Sequence, residues 1–169
     1  FIMSCFLWGH FDSNTPELQF TEIYTWIPSL GIKFIVGVDG INLFLLMFAT
    51  FFIPLIVLSL WGFKGVGGRT LLSSLIAFEA GVVGALVAFD LVLFHFFWEI
   101  MLLSMYFTIG LWGGKNRVYA TTKFIIYTAL GSLLMLVVSL VLCLKHMEYF
   151  GEYSTSILDL YRIASIDHK

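Results

Sequence analysis

The chain has 169 residues, 60% of them hydrophobic and only 12% charged, against about 25% charged and 45–50% apolar in soluble domains. That excess excludes a soluble enzyme or binding module and leaves an integral membrane protein. A net charge of −2 gives no basic surface for nucleic acid. The two cysteines, Cys5 and Cys143, sit in apolar runs with no CxxC or Cys/His spacing for a metal or an iron–sulfur site. The 18 phenylalanines suit a lipid-facing chain and also an AT-rich coding genome.

In chain order, residues 1–8 ("FIMSCFLW") are apolar but would reach only ~12 Å as a helix, short of a ~30 Å hydrocarbon core. No basic region precedes them, so they do not read as a signal peptide. They are expected to be the end of a truncated transmembrane helix whose beginning lies outside the sequence given. Residues 9–40, with Pro16, Pro28 and several polar side chains, read as an extended surface loop. Within it "VDG" puts Asp39 where it can cap the next helix. Four full spans follow: Ile41–Trp61 with Pro54 inside it, Leu71–Phe89 with Glu79 at its centre, Leu91–Trp112, and Ala120–Leu144 with Lys123 near its start. Residues 145–169 read as a polar tail of mixed charge. The predicted fold is all-α transmembrane: a helix bundle of four complete spans plus a partial N-terminal one. Short connections make neighbouring spans antiparallel.

Charge sets the expected orientation. The loop before the first full span holds Asp12, Glu17, Glu22 and Asp39 against Lys33, whereas the next carries Lys64 and Arg69 with no acid. Asp90 then separates two spans, and Lys115 and Arg117 mark the following turn. Lysine and arginine collect on the cytoplasmic or matrix side, so residues 9–40 and the tail are expected on the opposite side.

Ionisable groups at mid-membrane cost at least ~2.5–3.5 kcal/mol on insertion scales and persist where they have a partner and a task. Glu79 and Glu99 are each the ninth residue of their predicted spans, ~12 Å along the helix, so both fall near mid-depth and could approach one another. On the third span His95, Glu99 and Tyr106 are spaced by four and seven, which is one helical stripe. Such a stripe offers the alternating donors and acceptors that a proton relay needs. Other readings stand beside it. A membrane glutamate can stay protonated and bond a neighbouring helix, and His95 can be an interfacial histidine. Lys123 and Lys145 can snorkel, and Tyr106 and Trp112 can be belt aromatics.

The stretches "WIPSLGI", "LGIKFIVGVDGINLFLL" and "FWEIMLLSMYFTIGLWGGKNRVYATTKFIIYTALGSLLML" carry a resemblance. From about Phe20 to Leu144 the chain resembles the antiporter-like membrane subunits of respiratory complex I (NADH:ubiquinone oxidoreductase), in the branch called subunit 4 or bacterial chain M. The resemblance implies inverted helical repeats with broken helices, and a proton-transfer glutamate on the fifth helix, here Glu99. Its partner in the family is a lysine on the seventh helix, and by this alignment the present chain holds helices three to six and stops short of it. Glu79, His95 and Lys123 are further candidates for the relay.

The expected function is therefore a share of proton translocation coupled to NADH:quinone oxidoreduction, as a subunit of an enzyme that carries no redox centre in this chain. NADH, FMN, iron–sulfur clusters and quinone would be bound by other subunits. Expected partners are other membrane-arm subunits, membrane lipids, and either a second chain or a missing C-terminal portion carrying the rest of the subunit, with no nucleic acid. The plain look of the tail favours a split subunit over a fragment, and so the mitochondrial inner membrane over a bacterial plasma membrane, as a multi-pass protein. Two alternatives are a subunit of a multisubunit cation/proton antiporter and a structural assembly piece with no active proton path. "GVDGINL" and "GGKNRVYATTKF" favour complex I over the first, and Glu99 argues against the second.

Overall fold

The computed structural model describes residues 1–28, 31–62 and 67–164. In chain order these form α1 (Ile2–His10), β1 (Gln19–Ile27), β2 (Ile32–Val38), α2 (Gly40–Ser59), α3 (Gly68–Val87), α4 (Leu91–Trp112), α5 (Arg117–Phe150) and α6 (Ile157–Ala164). Among the described residues four helices, α2 to α5, are long and apolar enough to cross a membrane. The chain is a multi-pass membrane protein built from a helix bundle, as its sequence predicts.

Residues 9–40 differ from expectation. They are not an extended loop but contain an antiparallel hairpin, with Ile23 opposite Ile35 and Thr25 opposite Lys33. Its strands are rich in β-branched and aromatic residues, the composition a pleated, half-buried surface favours. In β2, Ile32, Ile35 and Val38 are buried, while β1 is almost wholly exposed.

Each helix boundary has a local cause. Asp39 caps α2 as expected: its carboxylate accepts from the Ile41 and Asn42 amides at 2.9 and 2.7 Å, and the Asn42 side chain accepts from the Asp39 amide. Ser4 of α1 is buried with its hydroxyl 2.8 Å from that of Thr50 on α2. α3 starts three residues earlier than its apolar run, after Gly67 in the left-handed region at φ +80°. It stops at Val87 because Ala88 turns extended and bridges Val36 of β2.

α5 corrects the predicted span 120–144. It runs 34 residues, ~51 Å, and ends where Gly151 adopts φ +75°, the usual C-terminal helix stop. The described part of the predicted polar tail, residues 145–164, is accordingly not free. His146 is buried with Nδ1 2.8 Å from the Glu152 carbonyl, and Ser154, Thr155 and Ser156 are buried too.

Those three residues complete a seam that no hydropathy pattern announces. The Phe89 amide donates to the Ile35 carbonyl at 2.8 Å, the Leu91 amide to the Thr155 carbonyl at 2.9 Å, and the Ile157 amide to the Phe89 carbonyl at 2.9 Å. The turn between α3 and α4 thus lies between β2 on one edge and residues 155–157 on the other. Asp90, fully buried, knots it: one carboxylate oxygen accepts from the Val92 and Leu93 amides, the other from the Thr155 hydroxyl. Burial pushes the nearby Tyr153 phenol up, with Cys143 and Asp90 adding to the effect.

The opposite end of the bundle gathers the basic turns. A β-carbon on Gly67 would lie 3.5 Å from the Trp112 ring, so the turns before α3 and after α4 share one end with Arg69, Lys115 and Arg117. Lys64, assigned to the same end, lies outside the described residues.

Candidate functional site

α3 and α4 meet along small residues. A β-carbon on Gly81 would stand 2.8 Å from the Met101 amide nitrogen, and one on Gly84 would enter the Phe97 ring. Further along the contact, the Ser74 hydroxyl donates to the Ser104 carbonyl at 2.8 Å and lies 2.9 Å from the Thr108 hydroxyl. Contacts this close fix how both helices are rotated, which the sequence had left open.

The rotation separates the two membrane glutamates. Glu79 stands two residues before Gly81, and Glu99 stands midway between Phe97 and Met101. Two residues turn a helix by about 200°, so each carboxylate sits on the face away from the other helix. Both remain ~12 Å from the Ala88–Asp90 turn by rise, but the bodies of two helices lie between them. The expectation that they might approach one another is not met.

Glu99 belongs instead to the α5 side of α4. A β-carbon on Gly110 would touch Thr121 at 3.5 Å, and Gly110 follows Glu99 by eleven residues, three full turns. Tyr106 shares this stripe and lines a groove of about 330 Å³ with Gly110, Thr121 and Thr122. Continuing the antiparallel pairing from Gly110 and Thr121 brings Ser132 opposite Glu99, and Ser132 is buried.

His95 sits one turn before Glu99, with Nε2 3.6 Å from the carboxylate Oε1. The histidine side chain is 19% exposed and the glutamate 48%, so one group is held while the other can swing. Nδ1 is buried and has no hydrogen-bond partner among the described residues. A proton there would be an unpaired buried donor, at a cost of about 1–3 kcal/mol. The ring is therefore assigned the tautomer with its proton on Nε2, aimed at Glu99.

Lys123 is not brought to this stripe. It follows Thr121 by two residues and so occupies the face of α5 turned from α4. Its ammonium lies 4.6 Å from the centroid of the Tyr119 ring, an exposed cation–π contact. Along α5 it is nine residues, ~13 Å, from the depth of Ser132 and Glu99. Among the described residues, no three or more His, Cys, Asp or Glu side chains gather to hold a metal ion.

Sequence reasoning passed over two polar constellations: the Asp90–Thr155 knot and the Ser74–Ser104–Thr108 cluster. The second had a signal, hydroxyls on α4 spaced by four. The first had half of one, an aspartate just before a helix, because its other half lies 65 residues further on.

The site is a carboxylate–histidine pair inside one span of an antiparallel bundle of membrane helices. Residues 88–163 match the family described as NADH:quinone oxidoreductase/Mrp antiporter, TM. It is 37% identical over 134 residues to F(420)H(2) dehydrogenase subunit M of Methanosarcina mazei, covering 79% of this chain and 27% of the relative. It is 43% identical over 137 residues to NADH-quinone oxidoreductase subunit M of Rhodobacter capsulatus, covering 81% and 26%. The structure of respiratory complex I from Thermus thermophilus with bound NADH contains a chain that superposes with a TM-score of 0.71 at 25% identity, covering 94% of this chain and 32% of that one. The chain thus spans about a quarter of the length of these curated relatives.

Proposed function

We propose that this chain supplies part of a proton-translocation pathway in the membrane arm of an NADH:quinone oxidoreductase, with Glu99 as the group that takes up and releases the proton. The observation that carries the reading is Glu99 itself: a carboxylate in mid-span, half-exposed, beside a histidine nitrogen and in line with Tyr106. A membrane carboxyl loads when a nearby cation withdraws and unloads when it returns. The membrane potential works on such a charge with about 2.3 kcal/mol per 100 mV.

The proposed source of that cation is another portion of the subunit or another chain. Other membrane-arm subunits are the proposed partners, and the redox groups are assigned to other subunits of the complex. One relative is named for F(420)H(2) and another for NADH, which fits a membrane element indifferent to the electron donor. Glu79 and Lys123 hold lower places in the proposal because neither faces Glu99. The mitochondrial inner membrane is proposed as its location over a bacterial plasma membrane; fractionation with an antibody to the chain tests that.

The first test is Glu99→Gln in the intact complex, which keeps the shape and removes the titration. The complex is expected to assemble with strongly reduced proton pumping and reduced quinone reductase activity, while Glu99→Asp keeps part of both. A Gln variant that pumps at the parental proton-to-electron ratio refutes the assignment. The family description also names Mrp antiporters, which supports a second reading as a cation/proton antiporter subunit. Mass spectrometry of the native assembly separates the two, since flavin and iron–sulfur subunits accompany only the first.

A further inference from the structure

We infer that His95 is a positioning residue for Glu99 that works through Nε2–H alone, and that the proton path does not run through its ring. The inference rests on the reading of Glu99 as the proton-transfer group. A histidine that relays a proton must receive it on one nitrogen and release it from the other. Here Nε2 faces the Glu99 carboxylate, but Nδ1 is buried with no partner among the described residues to deliver or accept a proton. One nitrogen is open to the site and the other is closed.

The ring is mostly buried, with its side chain 19% exposed. Asp90 caps the helix less than two turns earlier. Glu99 is the mobile member. At 3.6 Å the contact exceeds a direct hydrogen bond, and a half-exposed glutamate has the freedom to close it. When ionised, Glu99 is drawn onto Nε2–H as a charge-assisted bond. When protonated, it loses that attraction and swings free along the stripe towards Tyr106. His95 keeps its proton throughout, and no bond to hydrogen is exchanged between the two side chains.

The chemistry of the side-chain amides provides the test. Glutamine at position 95 puts an N–H close to where Nε2 stands, asparagine puts one only near Nδ1, and methionine fills the space with no donor. In the intact complex, His95→Gln is expected to pump within about twofold of the parent. His95→Asn and His95→Met should assemble normally but pump about tenfold more slowly, equivalent to ~1.4 kcal/mol of lost stabilisation. Rescue by Gln, which cannot titrate, is the outcome that a relay role forbids.

The inference is overturned if Gln falls as far as Asn, because the ring would then be passing protons. It is overturned equally if Met pumps like the parent, or if all three variants fail to assemble and His95 is purely structural. Glu99→Gln measured alongside keeps the two claims apart. If that variant is inactive while every His95 variant is normal, only the present inference falls. If it pumps normally, the reading beneath it falls.

Discussion

Asp90 and Glu99 stand nine residues apart on one helix and illustrate two fates of a carboxylate. Asp90 has a donor at every turn, two backbone amides and the Thr155 hydroxyl, and is fully buried. Glu99 has one histidine nitrogen at 3.6 Å and is half exposed. A saturated carboxylate is a fastening, whereas an unsaturated one is free to change partners. Removing the fastening should be costly. Asp90→Ala loses a helix cap, about 0.5–2 kcal/mol, and strands the buried Thr155 hydroxyl, about 1–3 kcal/mol more. Asp90→Asn keeps the cap acceptor and should cost clearly less, with Thr155→Val near ~1 kcal/mol. Thermal unfolding of the purified complex, monitored by loss of this chain, gives the ranking. Equal stability for Asp90→Ala and the parent would contradict it. Glu99 was legible in the sequence because a lone acid inside an apolar run is conspicuous. Thr155 was not, since a polar residue in a polar stretch gives no hint of burial.

At the level of elements, length and apolarity located all four spans, and α4 starts and stops at the predicted residues 91 and 112. Their rotation was illegible because each is apolar nearly all round, leaving no polar face to set against lipid. Packing settles it through glycine: without driving hydrophobic contrast, membrane helices associate where small residues let backbones approach. Gly81 lies against α4 backbone, so Gly81→Ala must push α4 away, at about 1–3 kcal/mol. Gly131 on α5 has nothing within 4 Å among the described residues. Gly131→Ala should therefore be harmless and, by helix propensity, worth up to ~1 kcal/mol. Detergent-melting temperatures of the two variants check both signs. A loss at Gly131 as large as at Gly81 would mean that another helix occupies that face. The hairpin was missed for a different reason. Its prolines and charges drew attention, while "IKFIV" shows no period-two alternation, since the buried Ile32 and Ile35 stand three residues apart.

For the whole molecule, the turns sort onto two ends. The hairpin, the Asp90 turn and residues 154–157 are bonded together at one, and Gly67 with Trp112 ties the basic turns at the other. Which end faces which compartment follows from the placement of basic residues. Cysteines placed at Arg69 and Lys115 should resist an impermeant thiol reagent added from the outer side of the energised membrane. A cysteine at Lys33, on the exposed side of β2, should react. The reverse pattern would invert the orientation. That pairing of ends was readable from charge, but the bonds that hold the hairpin end together depend on contacts between distant segments and were not.

The seam at Asp90 also imposes an order on biosynthesis. A chain made from its N-terminus releases Asp90 65 residues before Thr155. Until then the Leu91 amide and the Phe89 carbonyl, which later bond residues 155–157, have only water to satisfy them. α4 can enter the bilayer capped by Asp90 alone, but the α4–α5 hairpin closes into a ring only after the last turn of α5 has crossed and the chain has folded back. The final bonds then act as a ratchet. Sliding either helix back through the membrane would first require pulling Thr155 off Asp90, so insertion becomes hard to reverse only when it is complete.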